Sequence, residues 1–529
     1  MASYPPYPSI FNDVIGPVMR GPSSSHCAAA LRIGRIARDL MAGRLDSVRV
    51  RYDSAGSLAH THRSQGSDMG LCAGLLGWEA TDERMPDAET ALATAGVDLR
   101  ITVADLGDRH PNTYRLEMRG GGEQHALVAI STGGGMIEVT EIDGAPVAMH
   151  GDWHYALFFC ECDPCQAAQL AAYLREAEGV AETLVHTTRL GPLVEMRGRS
   201  PLTDASASTV QARFAVRTVR RIAPVLPILA GAATQLPFRT AAEMLTYNEG
   251  RELTASQLAV RYEAARGSIA GSDVVALMTD HIRVMQAGVA RGLSGTEYAD
   301  RILGRQAARF QAQANAGRLL DAAMLNRIIT YVTALMEAKS ALEVIVAAPT
   351  AGACGGLPGA CLAVADAMDL PEEAKVRAML AAGLIGVFIA GQATFAAELA
   401  GCQAECGAGS AMAAAGLVEL AGGTAHQAVD AASLALQNLL GMICDPVANR
   451  VEVPCLGKNV LAAANALTCA NMALSGFDVV VPLDEVIQAM AEVGRSLPAS
   501  LRCTGLGGLS TTPAAKAVER RLAGRSGAK

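Results

Sequence analysis

The chain has 529 residues, 50% of them hydrophobic and 18% charged, so it can fill two or three packed domains and is too apolar for long disordered stretches. Its formal net charge of −8, without a run of basic residues, excludes the electrostatic footprint of proteins that bind nucleic acid or anionic membranes. The chain does not open on a basic and then apolar leader, so we expect a cytoplasmic protein whose 13 cysteines are mostly reduced. Metal or catalytic roles for these cysteines are then favoured over a disulfide framework.

Residues 1–150 are predicted to form an α+β domain. A helical pattern covers Ala28–Met41 and ends near Gly43. Alternating stretches typical of strands follow at 47–53, 97–106, 113–120, 125–132 and 136–143. Glycine triplets at 120–122 and 133–135 indicate turns, and the second one lacks the lysine and hydroxyl residue of a phosphate loop.

Residues 151–198 are predicted to form a small β-α-β module that resembles a shortened ACT-like effector module. Its strands are expected at 154–162 and 181–188, with a helix at 166–179 between them. Residues 199–239 contain four prolines and are predicted to be a linker. The module contains three cysteines that could hold zinc, Cys160, Cys162 and Cys165. Two of them alternate along a predicted strand and the third falls in a predicted loop, which argues against a zinc site.

Residues 240–529 are predicted to form a large all-α domain, because the pattern is helical almost throughout and is broken only by glycine-rich turns. The segment Ala378–Ala397 is uncharged over the length of a membrane span. Its many glycines and alanines, with Gln392 and Thr394 among them, favour a helix buried in the domain. We therefore expect no membrane partner.

Three cysteines of this domain stand beside glycine or proline. Cys402 follows Gly401, Cys444 precedes Asp445-Pro446, and Cys455 follows Pro454. Because proline ends helices, Cys444 and Cys455 are predicted to lie at helix ends or in loops, where thiolates can converge on one point. Buried apolar filler is the alternative role. The spacing is not that of zinc fingers or ferredoxins, and a [4Fe–4S] cluster held by three thiolates would keep one iron open as a Lewis acid.

Three serines and a histidine precede the first predicted helix, in GPSSSHCAAALRIG (21–34). Ser25 or a neighbour could cap that helix. Backbone N–H groups and hydroxyls at a helix N-terminus suit a substrate carboxylate. The alternative is an ordinary cap with a histidine at the surface.

These stretches resemble, in order and over nearly the whole chain, the motifs of the iron–sulfur-dependent L-serine dehydratases (L-serine ammonia-lyases) in their single-chain form. The remaining motifs that carry the resemblance are GSLAHTHRSQGSD (56–68), HPNTYR (110–115), STGGGMIEV (131–139), PTAGACGGLPGA (349–360), GCQAE (401–405), SAMAAAGLVEL (410–420), CDPVANRVEVPC (444–455) and GGLS (507–510).

The resemblance implies a [4Fe–4S] cluster bound by Cys402, Cys444 and Cys455, with Cys503 as a candidate fourth ligand and Cys406 as a neighbour of the cluster. It implies the deamination of L-serine to pyruvate and ammonia by β-elimination of water at the open iron, in a homodimer. Ser25 and His26 are the candidate catalytic residues. The candidate substrate-binding residues are Ser23, Ser24, Gln65, Ser67, Asp68, Asn112, Thr113 and Thr350.

One position departs from the family pattern. Gln65 stands before Gly66-Ser67-Asp68 where serine-specific members usually carry a histidine, and glutamine cannot act as a general base. His60 or His62 could compensate, although a surface or structural role is the simpler interpretation of each. The departure favours, as an alternative substrate, another β-hydroxy acid such as 2-(hydroxymethyl)glutarate.

Two other classes are disfavoured. A pyridoxal-phosphate enzyme needs a Schiff-base lysine, and of five lysines only Lys458 lies near a motif, without a Ser-x-Lys-x-Arg pattern. We therefore expect no pyridoxal phosphate. A non-catalytic iron–sulfur sensor would not need the serine-rich and PNT motifs.

Overall fold

The structure is a computed structural model that describes residues 7–177, 179–189, 191–231, 235–298 and 301–526. Its N-terminal part is built around a mixed sheet packed against helices. The elements of this part are β1 (Val18–Met19), α1 (Ala29–Leu40), β2 (Ser47–Asp53), α2 (Leu58–Thr61), α3 (Ser67–Leu76), α4 (Ala88–Thr94), β3 (Asp98–Ala104), β4 (Thr113–Gly120), β5 (Glu123–Gly133), β6 (Met136–Ile142) and β7 (Ala145–Met149).

The sheet has six strands in the order β3-β2-β4-β5-β6-β7, and only the β2–β3 pair is parallel. Alternate residues of β2, such as Val48 and Val50, point into the core that α1 shares through Ile33 and Ile36. The predicted turn at 133–135 joins β5 to β6. A Cβ atom on Gly133 would lie 2.9 Å from the backbone nitrogen of Ala396, so the sheet reaches the helical domain at this turn.

The second part is larger than the predicted β-α-β module. It comprises β8 (His154–Cys160), α5 (Pro164–Arg175), β9 (Val180–Thr188), β10 (Gly191–Gly198), α6 (Asp204–Arg213) and β11 (Val216–Ile222), with the sheet order β11-β8-β10-β9. This is a complete β-α-β-β-α-β arrangement. The expected linker at 199–239 is therefore wrong over 204–222, because α6 and β11 belong to the module. Their apolar signal is weak, since α6 buries only Ala207 and Val210.

The cysteines of the module do not form a metal site. Cys160 ends β8 and Cys162 follows it, whereas Cys165 lies exposed in α5 rather than in a loop. Over the described ranges, no three His, Cys, Asp or Glu side chains come together in the geometry of a single metal ion.

The third part is helical, apart from one short strand that pairs with β1. Its elements are α7 (Ala241–Asn248), α8 (Ala255–Gly267), α9 (Gly271–Ser294), α10 (Ala307–Asn315), α11 (Ala323–Ser340), β12 (Ile345–Val346), α12 (Gly356–Ala367), α13 (Glu372–Gln392), α14 (Ala397–Ala400), α15 (Cys406–Leu420), α16 (Ala425–Gln437), α17 (Cys455–Leu474), α18 (Leu483–Ser496) and α19 (Pro513–Ser526).

Helix α15 lies at the centre of this domain and packs against α12, α13, α16 and α17. Helix α13 contains most of the apolar segment noted above and is long and apolar enough to cross a membrane, but 83% of its apolar window is buried inside the protein. It therefore fits the predicted role of a core helix.

A buried acid near the N-terminus makes the stability depend on pH. The Asp13 carboxyl is buried in the helical turn Ile10–Val14, and burial raises its pKa from 3.8 to about 6, with Arg266 opposing the rise. The folded chain keeps a proton that the unfolded chain has released. The stabilising contribution is therefore full below pH 3.8 and is lost as the pH rises through about 6.

We expect this group to lower the free energy of unfolding by about 1.4 kcal/mol between about pH 5 and about pH 7.5. Chemical denaturation at both pH values would measure the change, which should shrink by that amount in Asp13→Asn. The exposed Asp321 provides the control variant Asp321→Asn, which should keep the dependence of the wild type. An unchanged dependence in Asp13→Asn would contradict the assignment.

Candidate active site

The serine-rich segment forms a buried helical turn, Ser24–Ala28, directly before α1. Ser23 occupies the capping position but its side chain makes no cap hydrogen bond, so the predicted serine cap is not formed there. The serine hydroxyls instead contact groups outside this turn or the ring of His26. Ser24 Oγ accepts a hydrogen bond from the backbone N–H of Ala351 at 3.2 Å, which ties this turn to the 349–360 motif of the helical domain.

His26 is buried, in contrast to the alternative of a surface histidine. Its Nε2 lies 2.7 Å from Thr61 Oγ1, and that hydroxyl donates its own proton to the backbone oxygen of Ser57. Nε2 therefore carries the proton, and Nδ1 accepts from Ser23 Oγ at 3.0 Å. Burial lowers the pKa of His26, with Glu398 opposing the effect. His26 is thus a neutral imidazole whose two nitrogens are both occupied.

Glu398 is a buried carboxylate that the sequence analysis did not single out. Ser25 Oγ donates to its Oε1 at 2.7 Å, and His26 Nδ1 lies 3.5 Å from the same oxygen. Its Oε2 is buried and has no hydrogen-bond partner in the described part of the chain. A buried carboxylate oxygen without a partner is costly, which is typical of a position kept for chemistry or for a ligand.

Gln65 is buried and donates from Nε2 to Cys503 Sγ at 3.4 Å. Neither nearby histidine takes its place. His62 Nδ1 pairs with the Asp68 carboxylate at 2.8 Å, and His60 is exposed at the surface. Neither histidine therefore supplies a free imidazole in place of Gln65, because His62 is held by Asp68 and His60 faces solvent.

The HPNTYR segment brings a second set of polar atoms to the site. Both polar atoms of the Asn112 side chain are buried and unpartnered among the described residues, as is Nε2 of His110. Thr113 donates to the backbone oxygen of His110 at 2.8 Å and so shapes the start of β4. Ser67 hydrogen-bonds Tyr114 Oη at 3.0 Å. Of the candidate substrate-binding residues in this region, Asn112 is the one left free to bind.

The cysteines predicted as cluster ligands are buried, and each begins a helical element or lies in a loop. Cys402 begins a single helical turn, Cys455 begins α17, and Cys444 lies in the loop that pairs with Arg502. Cys503 N–H donates to the backbone oxygen of Cys444 at 3.0 Å, and the two thiols also hydrogen-bond.

Cys406, at the start of α15, belongs to the same group. Its thiol donates to Cys402, and this hydrogen bond, aided by Lys458 against burial, lowers the pKa of Cys402 to about 7. Asn459 Nδ2 bridges to the Cys455 backbone oxygen at 2.8 Å and to Cys406 Sγ at 3.7 Å. Five cysteine residues therefore meet in one buried region, although the sequence analysis treated Cys406 only as a neighbour.

The donor set fits a [4Fe–4S] cluster. Thiolates are the ligands that such clusters prefer, and a four-iron cluster is too wide to need the close spacing of a single-ion site. Lys458 Nζ donates hydrogen bonds to the backbone oxygen of Ile443 at 2.6 Å and to Asp445 Oδ1 at 2.9 Å. Burial opposes its charge, but the nearby Cys402 thiolate and Asp445 raise the pKa of Lys458 above its ordinary value. A permanent cation beside the thiolates suits an anionic cluster.

Thr350 contacts Glu405, the residue directly before Cys406. It donates to Glu405 Oε1 at 2.7 Å, and its Oγ1 accepts from Ala353 N–H at 3.1 Å. Burial, with the neighbouring Cys402, raises the pKa of Glu405 to about 8, so this carboxyl keeps its proton at neutral pH. Thr350 is thus occupied in holding a loop and a carboxyl in place.

Comparison with known proteins gives a consistent result. The family model described as serine dehydratase alpha chain matches residues 241–510, and that of the serine dehydratase beta chain matches residues 13–105. L-serine dehydratase of Streptomyces coelicolor is 30% identical over 498 residues, which cover 93% of this chain and 96% of that protein.

Two further relatives match the helical part. The probable L-serine dehydratase alpha chain of Bacillus subtilis is 36% identical over 287 residues, covering 54% of this chain and 96% of the relative. L-serine dehydratase 1 of Escherichia coli is 34% identical over 282 residues, covering 52% of this chain and 62% of the relative.

Proposed function

Because the chain belongs to the L-serine dehydratase family of lyases and joins the regions matched by its alpha-chain and beta-chain models in one polypeptide, we propose that it deaminates L-serine to pyruvate and ammonia with a [4Fe–4S] cluster. The observation that carries the proposal is that the buried cysteines meet the 56–68 segment where Gln65 donates to Cys503, and that Thr61 of the same segment contacts His26 of the serine-rich turn. The cluster ligands in this proposal are Cys402, Cys444 and Cys455, with Cys503 as the candidate fourth.

The open iron of the bound cluster would polarise the β-hydroxyl of the substrate and make it a better leaving group. The protein supplies the surroundings. The cysteine region is buried, so water is largely excluded, and Lys458 offsets the negative charge that accumulates there.

Proton transfer in this proposal centres on Glu398. Its free Oε2 takes the Cα proton of the substrate, while Ser25 holds Oε1 and so fixes the direction of the carboxylate. His26, neutral and engaged at both nitrogens, accepts from Ser23 and so holds this hydroxyl beside Ser25, rather than accepting the proton itself. Glu398 returns the proton to the departing hydroxide, which leaves as water. The enamine then tautomerises to an imine, and hydrolysis of the imine yields the oxoacid and ammonia.

One observation favours a second candidate substrate. Gln65 bonds the Cys503 sulfur where a histidine is usual, so the polar groups offered to the substrate differ from those of serine-specific members. Another β-hydroxy acid is therefore the alternative substrate. We further propose a cytoplasmic homodimer that works on a small molecule, without a nucleic-acid or membrane partner.

An anaerobic assay of reconstituted protein tests the proposal. Oxoacid and ammonia should form from L-serine faster than other β-hydroxy acids lose water, which for those without an amino group is followed as the unsaturated acid, and exposure to air should abolish the activity and the visible colour together. Turnover of a different β-hydroxy acid, with serine inert, would retain the chemistry and overturn the substrate. A coloured protein that turns over none of them would overturn the proposed function.

A further inference from the structure

A cleft of about 510 Å³ lies between the N-terminal sheet and the helical domain. One wall is formed by β5 and β6, and the other by the segment that follows α13 and by α18. Three arginines line it: Arg109 and Arg495 are exposed at the rim, and Arg502 is half-buried. Among the described residues, none of these three guanidinium groups forms an ion pair.

Two buried N–H donors of this cleft have no partner in the described part of the chain. One is Nε of Arg502, whose Nη1 donates to the backbone oxygen of Leu399 at 3.2 Å and so fixes the guanidinium plane. The other is Nε2 of His110. Its Nδ1 accepts the backbone N–H of Asn112 at 3.2 Å, so the proton of the neutral ring lies on Nε2. Burial lowers the pKa of His110 to about 4, which keeps the ring neutral.

A buried donor without a partner is costly, so two of them on residues that line one cleft indicate a ligand that accepts from both. A carboxylate has that chemistry: two oxygens, negative charge, and a preference for guanidinium N–H groups.

The cleft adjoins the proposed active site. The backbone of Arg502 pairs with Cys444, and Leu399, which its side chain contacts, directly follows Glu398. Glu398 also acts on His110, since its charge opposes the lowering of the pKa of that ring by burial, so the two side chains are neighbours.

We propose that Arg502 Nε and His110 Nε2 bind the carboxylate of the substrate at the inner end of this cleft. This inference deepens the proposed function, on which it rests, and assigns the carboxylate to Arg502 and His110 instead of the serine-rich turn. The substrate class is then a carboxylate whose Cα–H faces Glu398.

Equilibrium binding of unreactive probes by calorimetry tests this inference on the cluster-loaded protein. L-Alanine and propanoate carry the carboxylate but no β-hydroxyl, and in L-alaninamide and propanamide a neutral amide replaces that carboxylate. The wild type should bind each carboxylate at least about 10-fold more tightly than its amide. Arg502→Gln should lose that preference, and Arg502→Lys should recover only part of it, because lysine lacks the planar fork.

Arg318→Gln, at an exposed arginine outside the cleft, provides the control and should bind like the wild type. Iron content and thermal midpoint report whether each variant is intact. A carboxylate preference that survives in Arg502→Gln, or no preference in the wild type, would overturn the inference. Because the probes are not turned over, this result is independent of whether L-serine is the substrate.

Discussion

Replacing any one of the three predicted ligands, in Cys402→Ser, Cys444→Ser or Cys455→Ser, is expected to abolish both the cluster and the activity. Serine is a poor ligand for iron in such clusters, and each of these thiols is buried among the others, so no substitute ligand from solvent can take its place. Iron content after anaerobic reconstitution should fall by at least about 10-fold, with the visible absorbance and the release of ammonia falling with it.

A second cysteine on the helix of Cys455 separates loss of a ligand from loss of packing. Cys469 is buried in α17, as Cys455 is, but it contacts Asn438 and Asn465 away from the cysteine group. Cys469→Ser should therefore keep its iron and activity. Cys503→Ser should also keep the cluster, since Cys503 is only the candidate fourth ligand. A fully loaded, active triple variant of the three predicted ligands would refute the cluster assignment.

The second large effect is expected at Glu398. Glu398→Gln keeps the shape of the side chain and can still accept the hydrogen bond from Ser25, but it removes the base. We expect kcat to fall by about 10²- to 10⁴-fold, with a much smaller change in KM and unchanged iron content. Glu398→Asp should recover part of the rate, because a carboxylate remains.

Glu263 offers a matched control. It is also a fully buried carboxylate that accepts a hydrogen bond from a serine, Ser9, at 2.5 Å, but it lies in α8 and fastens the N-terminal turn. Glu263→Gln should change the thermal midpoint and leave kcat of the folded protein within about 3-fold of the wild type. If Glu398→Gln kept kcat within the same range, Glu398 would not be the base.

The sequence pattern predicts the sheet of the first domain well. β2 and β4 have the predicted bounds 47–53 and 113–120, because one face of each strand is buried and alternation marks it clearly. The sequence pattern does not predict α6 and β11, which lie in the segment expected to be a linker. The strand VRTVRRI carries three arginines and buries little of its surface, so the pairing with β8 that makes it a strand is invisible in the sequence.

The site shows a similar division. Prolines and glycines beside the cysteines predict helix ends and loops, and Cys402, Cys444 and Cys455 lie there. Glu398 lies in α14, in the apolar stretch that follows α13, and no pattern in the sequence marks a single acidic residue there as functional. Its role depends on contact with Ser25, 373 residues away, just as Gln65 meets Cys503 across 438 residues. Such contacts arise only from the packing of the two domains.

The central claim is that the chain needs its iron–sulfur cluster to deaminate L-serine. The most direct measurement is the rate of pyruvate and ammonia release from L-serine, followed anaerobically as the apoprotein is reconstituted stepwise with iron and sulfide. The account predicts no turnover without iron and a rate that rises in proportion to cluster content up to about four irons per chain. Turnover by the iron-free protein, or a loaded cluster without any release of ammonia from L-serine, would contradict it.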